Sequence, residues 1–277
     1  MRSTPATESG IEGRLTWSRA LACAVCFACA SVACSSFSEA KGDDDAGTTV
    51  DAGVGDGDGD GGEPGAAPLV LDTFSRVVQT GFGSAEIGGD WIGSGTRDVA
   101  DGVGHLFLKP GTGASASIGP TAEPDVDVQA VVSCDRLGDP DAGLGSGVYV
   151  SLIARRNAGS TYFAKLIIVS KGTVSIALDA VIPGAETALD RQNAVVTLKA
   201  NEKLRVRFQL AGVAPTRLRV KAWKLDDVEP AAWNSEVMDR TPTLQQAGVI
   251  GIDTYLSSLA SDAVIVSVDD FVARPAR

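Results

Sequence analysis

Between residues 148 and 223, apolar side chains recur at every second position. Val148, Val150, Leu152 and Ala154 alternate with Tyr149, Ser151, Ile153 and Arg155. Leu204, Val206, Phe208 and Leu210 alternate with Arg205, Arg207 and Gln209, and Leu218, Val220 and Ala222 with Arg219, Lys221 and Trp223. A period of two turns one apolar face toward a core and one polar face outward, which is the pattern of a half-buried strand. Further strands are expected at 69–74, 105–109, 114–118, 126–134, 162–170, 174–181, 194–199, 249–256 and 263–272. Asn157 to Ser160, Lys171-Gly172 and Gly212 to Thr216 carry the residue types that turn hairpins. No segment is amphipathic at helical spacing beyond about two turns, and 241–246 is the best short-helix candidate. About a dozen strands at this spacing predict a two-sheet antiparallel sandwich.

The sequence before residue 68 follows other rules. Arg2, Arg14 and Arg19 precede an uncharged run of small apolar residues at 20–33. That run is too short to span a bilayer and has the length of a secretory signal's apolar region. Residues 1–33 are therefore expected to be a signal peptide. The small residues Ser31, Val32 and Ala33 before Cys34 resemble the lipobox of bacterial lipoproteins. The resemblance implies lipidation at Cys34, a membrane anchor and a place in the cell envelope. Residues 34–67 are expected to be a disordered acidic tether, because residues 39–66 hold nine acids, one Lys and little apolar surface to bury. Asp56, Asp58, Asp60 and Gly61 match the first half of a calcium loop, but Ala67 stands where its bidentate acid belongs. The segment thus reads as a spacer, and no cofactor is expected beyond an unsupported possibility of calcium.

Residues 68–277 are left as one folded domain. Its only cysteine is Cys134, so an exported domain here folds on its apolar core without an internal disulfide. The formal charge of −11 is mostly that of the tether, and the domain is close to balance with 20 basic and 24 acidic residues. Export argues against nucleic acid more strongly than charge does, and a monomer is the expected state.

Several stretches carry a family resemblance. They are Asp72-Thr73-Phe74-Ser75-Arg76, Gly88-Gly89-Asp90-Trp91, Gly147 to Ser151, Leu204 to Arg207, Glu229 to Trp233, Tyr255 to Ser258 and Val266 to Phe271. Together they resemble the concanavalin-like, laminin-G-like jelly rolls of bacterial exported proteins. The resemblance implies pairing of the first and last strands, and a domain that binds glycans, hydrolyses them or has a structural role. Fold alone does not choose among these.

Candidate sites follow from the residues. Glycosidases of this fold class place two or three acids along one strand. The nearest match is Asp125-Val126-Asp127, with no third acid, so these read as solvated acids at a strand start. Ser84 to Trp91 resembles the Asp-box hairpin of sialidases and reads as a structural turn with Trp91 packed on the sandwich. The single histidine, His105, has no nucleophile motif beside it and reads as structural. The candidate ligand face is cationic and partly aromatic: Tyr149, Arg155, Arg205, Arg207, Gln209, Arg219, Lys221 and Trp223, provided their strands are neighbours. Aromatic rings suit sugar C–H faces, and Arg suits acidic groups. A surface-anchored carbohydrate-binding module without catalysis is the expected function. The alternatives are a polysaccharide hydrolase and a structural or adhesion envelope protein.

Overall fold

A computed structural model of the chain describes residues 66–137 and 146–276. The tether's Asp56 to Gly61 motif and Cys34 lie outside them. Two antiparallel sheets face each other across an apolar core. The strands are β1 Val70–Asp72, β2 Ile92–Ser94, β3 Thr96–Ala100, β4 Val103–Leu108, β5 Gly113–Ile118, β6 Val126–Cys134, β7 Val148–Asn157 and β8 Ser160–Ile168. They continue with β9 Thr173–Ile182, β10 Ala185–Thr197, β11 Leu204–Ala211, β12 Thr216–Lys224, β13 Ser235–Asp239, β14 Val249–Leu256 and β15 Val264–Pro275. The first sheet runs β13-β12-β11-β6-β15-β4-β3, with β1 also beside β15. The second runs β10-β9-β8-β7-β14-β5-β2. The expected two-sheet antiparallel sandwich is what is found.

The alternation places the core as expected. Val128, Ala130 and Val132 of β6, Val206 and Phe208 of β11, and Val220 of β12 line the inside of the first sheet. Val150 and Leu152 of β7, Leu166 of β8, Ile176 and Leu178 of β9, and Ile252 of β14 line the inside of the second. The expected helix at 241–246 is a single 3₁₀ turn, Pro242–Leu244. First and last strands pair, with Val70 opposite Ala273 and Asp72 opposite Phe271.

An aromatic cluster of the core lies beside this pairing. Asp72 is fully buried and accepts hydrogen bonds from Trp91 Nε1 at 2.6 Å, from Phe74 N at 2.8 Å and from both Arg76 terminal nitrogens at 2.7 Å. Trp91 packs edge-on against Phe82 and Phe271, as a structural hairpin requires. Gly104 lies under this cluster, and a Cβ there would come within 2.9 Å of both Phe74 and Phe82. His105 bonds Asp98 at 2.9 Å across β3 and β4. Cys134 is buried at the end of β6, and burial pushes its thiol up to about 12.

Candidate functional site

β11 and β12 are neighbours in register, with Arg207 opposite Lys221 and Gln209 opposite Arg219. β6 lies on the other side of β11, with Asp127 opposite Gln209. The outward side chains of these strands do converge, but the β12–β13 connection folds over them. Asp127 takes Arg207 Nη2 at 2.6 Å and Nε at 2.9 Å, and Gln209 Nε2 at 3.0 Å. Glu229, from the connection, takes Arg207 Nη1 at 2.7 Å and pairs with Lys221 Nζ at 2.9 Å. Trp233 lies against all three cations, 4.5 Å from Arg219, 4.6 Å from Lys221 and 5.4 Å from Arg207. Arg207 is 3 % exposed and Lys221 1 %. Burial disfavours the Arg207 cation, but Asp127 and Glu229 outweigh that and hold its pKa above the ordinary arginine value.

Of the expected cationic face, Arg207 and Lys221 are therefore corrected to buried residues paired with Asp127 and Glu229, and desolvated pairs of this kind leave little charge for a ligand. Asp127 is corrected too, from a solvated acid to a buried one that anchors Arg207. Trp223 is buried opposite Arg205, and Arg205 itself makes a partly exposed pair with Asp270 at 3.2 Å.

Arg155 belongs to the other sheet and is 1 % exposed. A bulge between Ala154 and Asn157 takes it off the strand's alternation, at φ 52°. Its guanidinium donates to Pro124 O, Leu244 O, Gly212 O, Thr216 Oγ1 and Asp125 Oδ1. It ties three connections to β7 and is a structural clamp. Asp125, its partner, also accepts from Gly212 N at 3.0 Å.

Of the eight expected residues, Tyr149 lines a pocket among the described residues. The pocket lies on the outer face of the second sheet and has a volume of about 310 Å³. Tyr149 of β7 is directly opposite Tyr255 of β14, with ring centroids 6.0 Å apart. One pair further along, Ser151 stands between Asp253 of β14 and Lys165 of β8. Phe163, Glu186, Thr254 and Ser257 complete the lining. Tyr255 is 43 % exposed, so its ring is open to a ligand.

The pocket's charges are paired. Lys165 Nζ is 2.7 Å from Asp179 and also bonds Glu186. Burial lowers the tendency of Lys165 to stay charged, but the two carboxylates overcome it and raise its pKa. Burial raises the Asp179 pKa, while the bond from Lys165 holds the Glu186 carboxyl below its usual range. Asp253 is 3.0 Å from Arg156. Nothing in the sequence marks Tyr255, Asp253, Phe163, Lys165 and Glu186 as ligand-facing, although Tyr255 stands in a stretch that carries the family resemblance. Their strands show the alternation, but only the register of β14 against β7 brings the two tyrosines together. Among the described residues no group of three or more His, Cys, Asp or Glu side chains is arranged to hold a metal ion.

No family model and no curated protein matches the chain by sequence. Solved structures do match in fold. A carbohydrate-binding module, CBM66, from Bacillus subtilis has a TM-score of 0.45 at 13 % identity, covering 66 % of this chain and 94 % of its own. The exoplasmic/lumenal domain of VIP36, solved with Ca²⁺ and Man2, has a TM-score of 0.48 at 11 % identity, covering 72 % of this chain and 89 % of its own. A xylan β-1,4-xylosidase from Bacillus halodurans C-125 has a TM-score of 0.50 at 11 % identity, covering 76 % of this chain and 40 % of its own. At these identities the likeness is one of fold.

Proposed function

We propose that the domain is a carbohydrate-binding module without catalysis, and that its site is the Tyr149–Tyr255 pocket. The observation that carries this reading is the tilted tyrosine pair 6.0 Å apart above a floor of hydroxyls and carboxylates. Aromatic faces accept the C–H side of a pyranose or furanose ring, while Ser151, Ser257 and the carboxylates accept its hydroxyl hydrogens. A pocket of about 310 Å³ matches one or two sugar rings. Carbohydrate-binding and lectin domains share the sandwich, which makes the fold compatible with the reading without choosing a sugar.

The chain's setting is part of the proposal. Residues 1–33 act as an export signal, Cys34 carries lipid, and 34–67 hold the domain off the membrane. The domain then meets glycans at the cell envelope as a monomer. A glycan array probed with purified protein tests the binding claim. The expected result is a small set of related sugars bound at micromolar to millimolar affinity, and an array with no specific binder overturns the proposal.

A further inference from the structure

The pocket's charge arrangement narrows what sugar it takes. We infer that it prefers a saccharide bearing a protonated amine and rejects one bearing a carboxylate, an inference that rests on the Tyr149–Tyr255 pocket being a sugar site. The charged side chains that line the pocket are two acids, Glu186 and Asp253, and one base, Lys165. The sum is one negative charge. Lys165 is already held by Asp179 and Glu186 and is only 15 % exposed. The two lining acids keep more open surface. The Glu186 side chain is 51 % exposed and that of Asp253 35 %.

A uronate entering here meets carboxylates at the accessible positions and no uncommitted cation. Like charges at close range oppose it, and neither Lys165 nor Arg156 has a lost salt bridge to regain. An ammonium meets the opposite situation. Glu186 has capacity beyond the bonds it shares with Lys165 and Asp179, since a carboxylate offers about four lone-pair sites. Asp253 likewise accepts only the contact from Arg156 that the side-chain geometry gives it. The tyrosine pair adds to this, because an amine beside a sugar ring lies close to aromatic faces that favour cations. On the first sheet, Arg207 and Lys221 are already paired with Asp127 and Glu229 and are 3 % and 1 % exposed, so they do not compete for acidic sugars.

Calorimetric titration of the full chain with three oligosaccharides of equal length tests the inference: a glucosamine trimer, its N-acetylated form and a galacturonate trimer. At about pH 6 the amines are charged. The glucosamine trimer is expected to bind about fivefold tighter than the acetylated one, the galacturonate trimer not measurably, and added salt should narrow the gap. Glu186→Gln, on an exposed strand and isosteric, is expected to abolish the gap. Equal or tighter binding of the acetylated or galacturonate trimer overturns the inference while leaving the pocket a sugar site. A gap that survives Glu186→Gln also overturns it, because attraction to the acidic tether would not depend on that residue. Failure of all three trimers, together with an array that yields no ligand, overturns the sugar site itself.

Discussion

Arg207 of β11 grips Asp127 of β6 through two nitrogens, at 2.6 and 2.9 Å, with both side chains nearly sealed from solvent. That relationship turns an alternating basic strand into part of the protein's interior. The open pocket lies on the opposite sheet.

Removing one partner of such a pair leaves a buried charge without its counter-ion. Asp127→Ala is expected to destabilise the domain by about 3 kcal/mol in urea unfolding. Replacing both, as Asp127→Leu with Arg207→Met, should cost less than either single change, because no charge is then stranded. A double variant less stable than both singles would show that the pair contributes net stability.

Glu229 gives the acid limb of the stability curve a predictable sign. Burial opposes its ionisation, but bonds from Lys221 and Arg207 depress its folded pKa below the unfolded value. Its contribution is therefore present above the ordinary glutamate range, about 4.3, and is lost as pH falls through the folded value. Asp179 works the other way, since burial raises its folded pKa and protonation there favours the folded state. Unfolding midpoints followed from pH 6 to pH 3 should fall less steeply in Glu229→Gln than in the parent, whereas Asp179→Asn should remove a rise. Identical slopes in parent and Glu229→Gln would contradict the assigned role.

Cys134 should be inert in the folded domain. It is buried, and its thiol is pushed up to about 12, so almost no thiolate exists at pH 8. Peptide mass spectrometry after alkylation should find Cys134 unmodified until denaturant is added. Rapid modification in native buffer would mean that the end of β6 opens.

Much of the fold is legible because the core strands are strongly patterned. The expected 126–134 and 249–256 coincide with β6 and β14. What escaped is short or exposed. β2 is three residues long with every residue exposed, and β10, expected only from 194, is mostly an exposed edge broken by bulges, so neither repeats an apolar face. The site was harder to read. Asp127 and Arg207 lie 80 residues apart, and nothing local says that 225–234 folds over their sheet. Alternation shows which side chains share a face, not which strand lies alongside. Tyr149 could be found from its own strand, and Tyr255 could not.

In the proposed site, ligand binding belongs to the second sheet and runs through the tyrosine pair. The most direct measurement is the affinity of the best array ligand for Tyr149→Ala, Tyr255→Ala and Arg205→Ala, each first shown to unfold at the parent temperature. Loss of either ring is expected to weaken binding about tenfold, the effect of roughly 1.4 kcal/mol, while Arg205→Ala on the first sheet leaves it unchanged. Binding that survives both tyrosine changes and falls with Arg205→Ala would contradict the account.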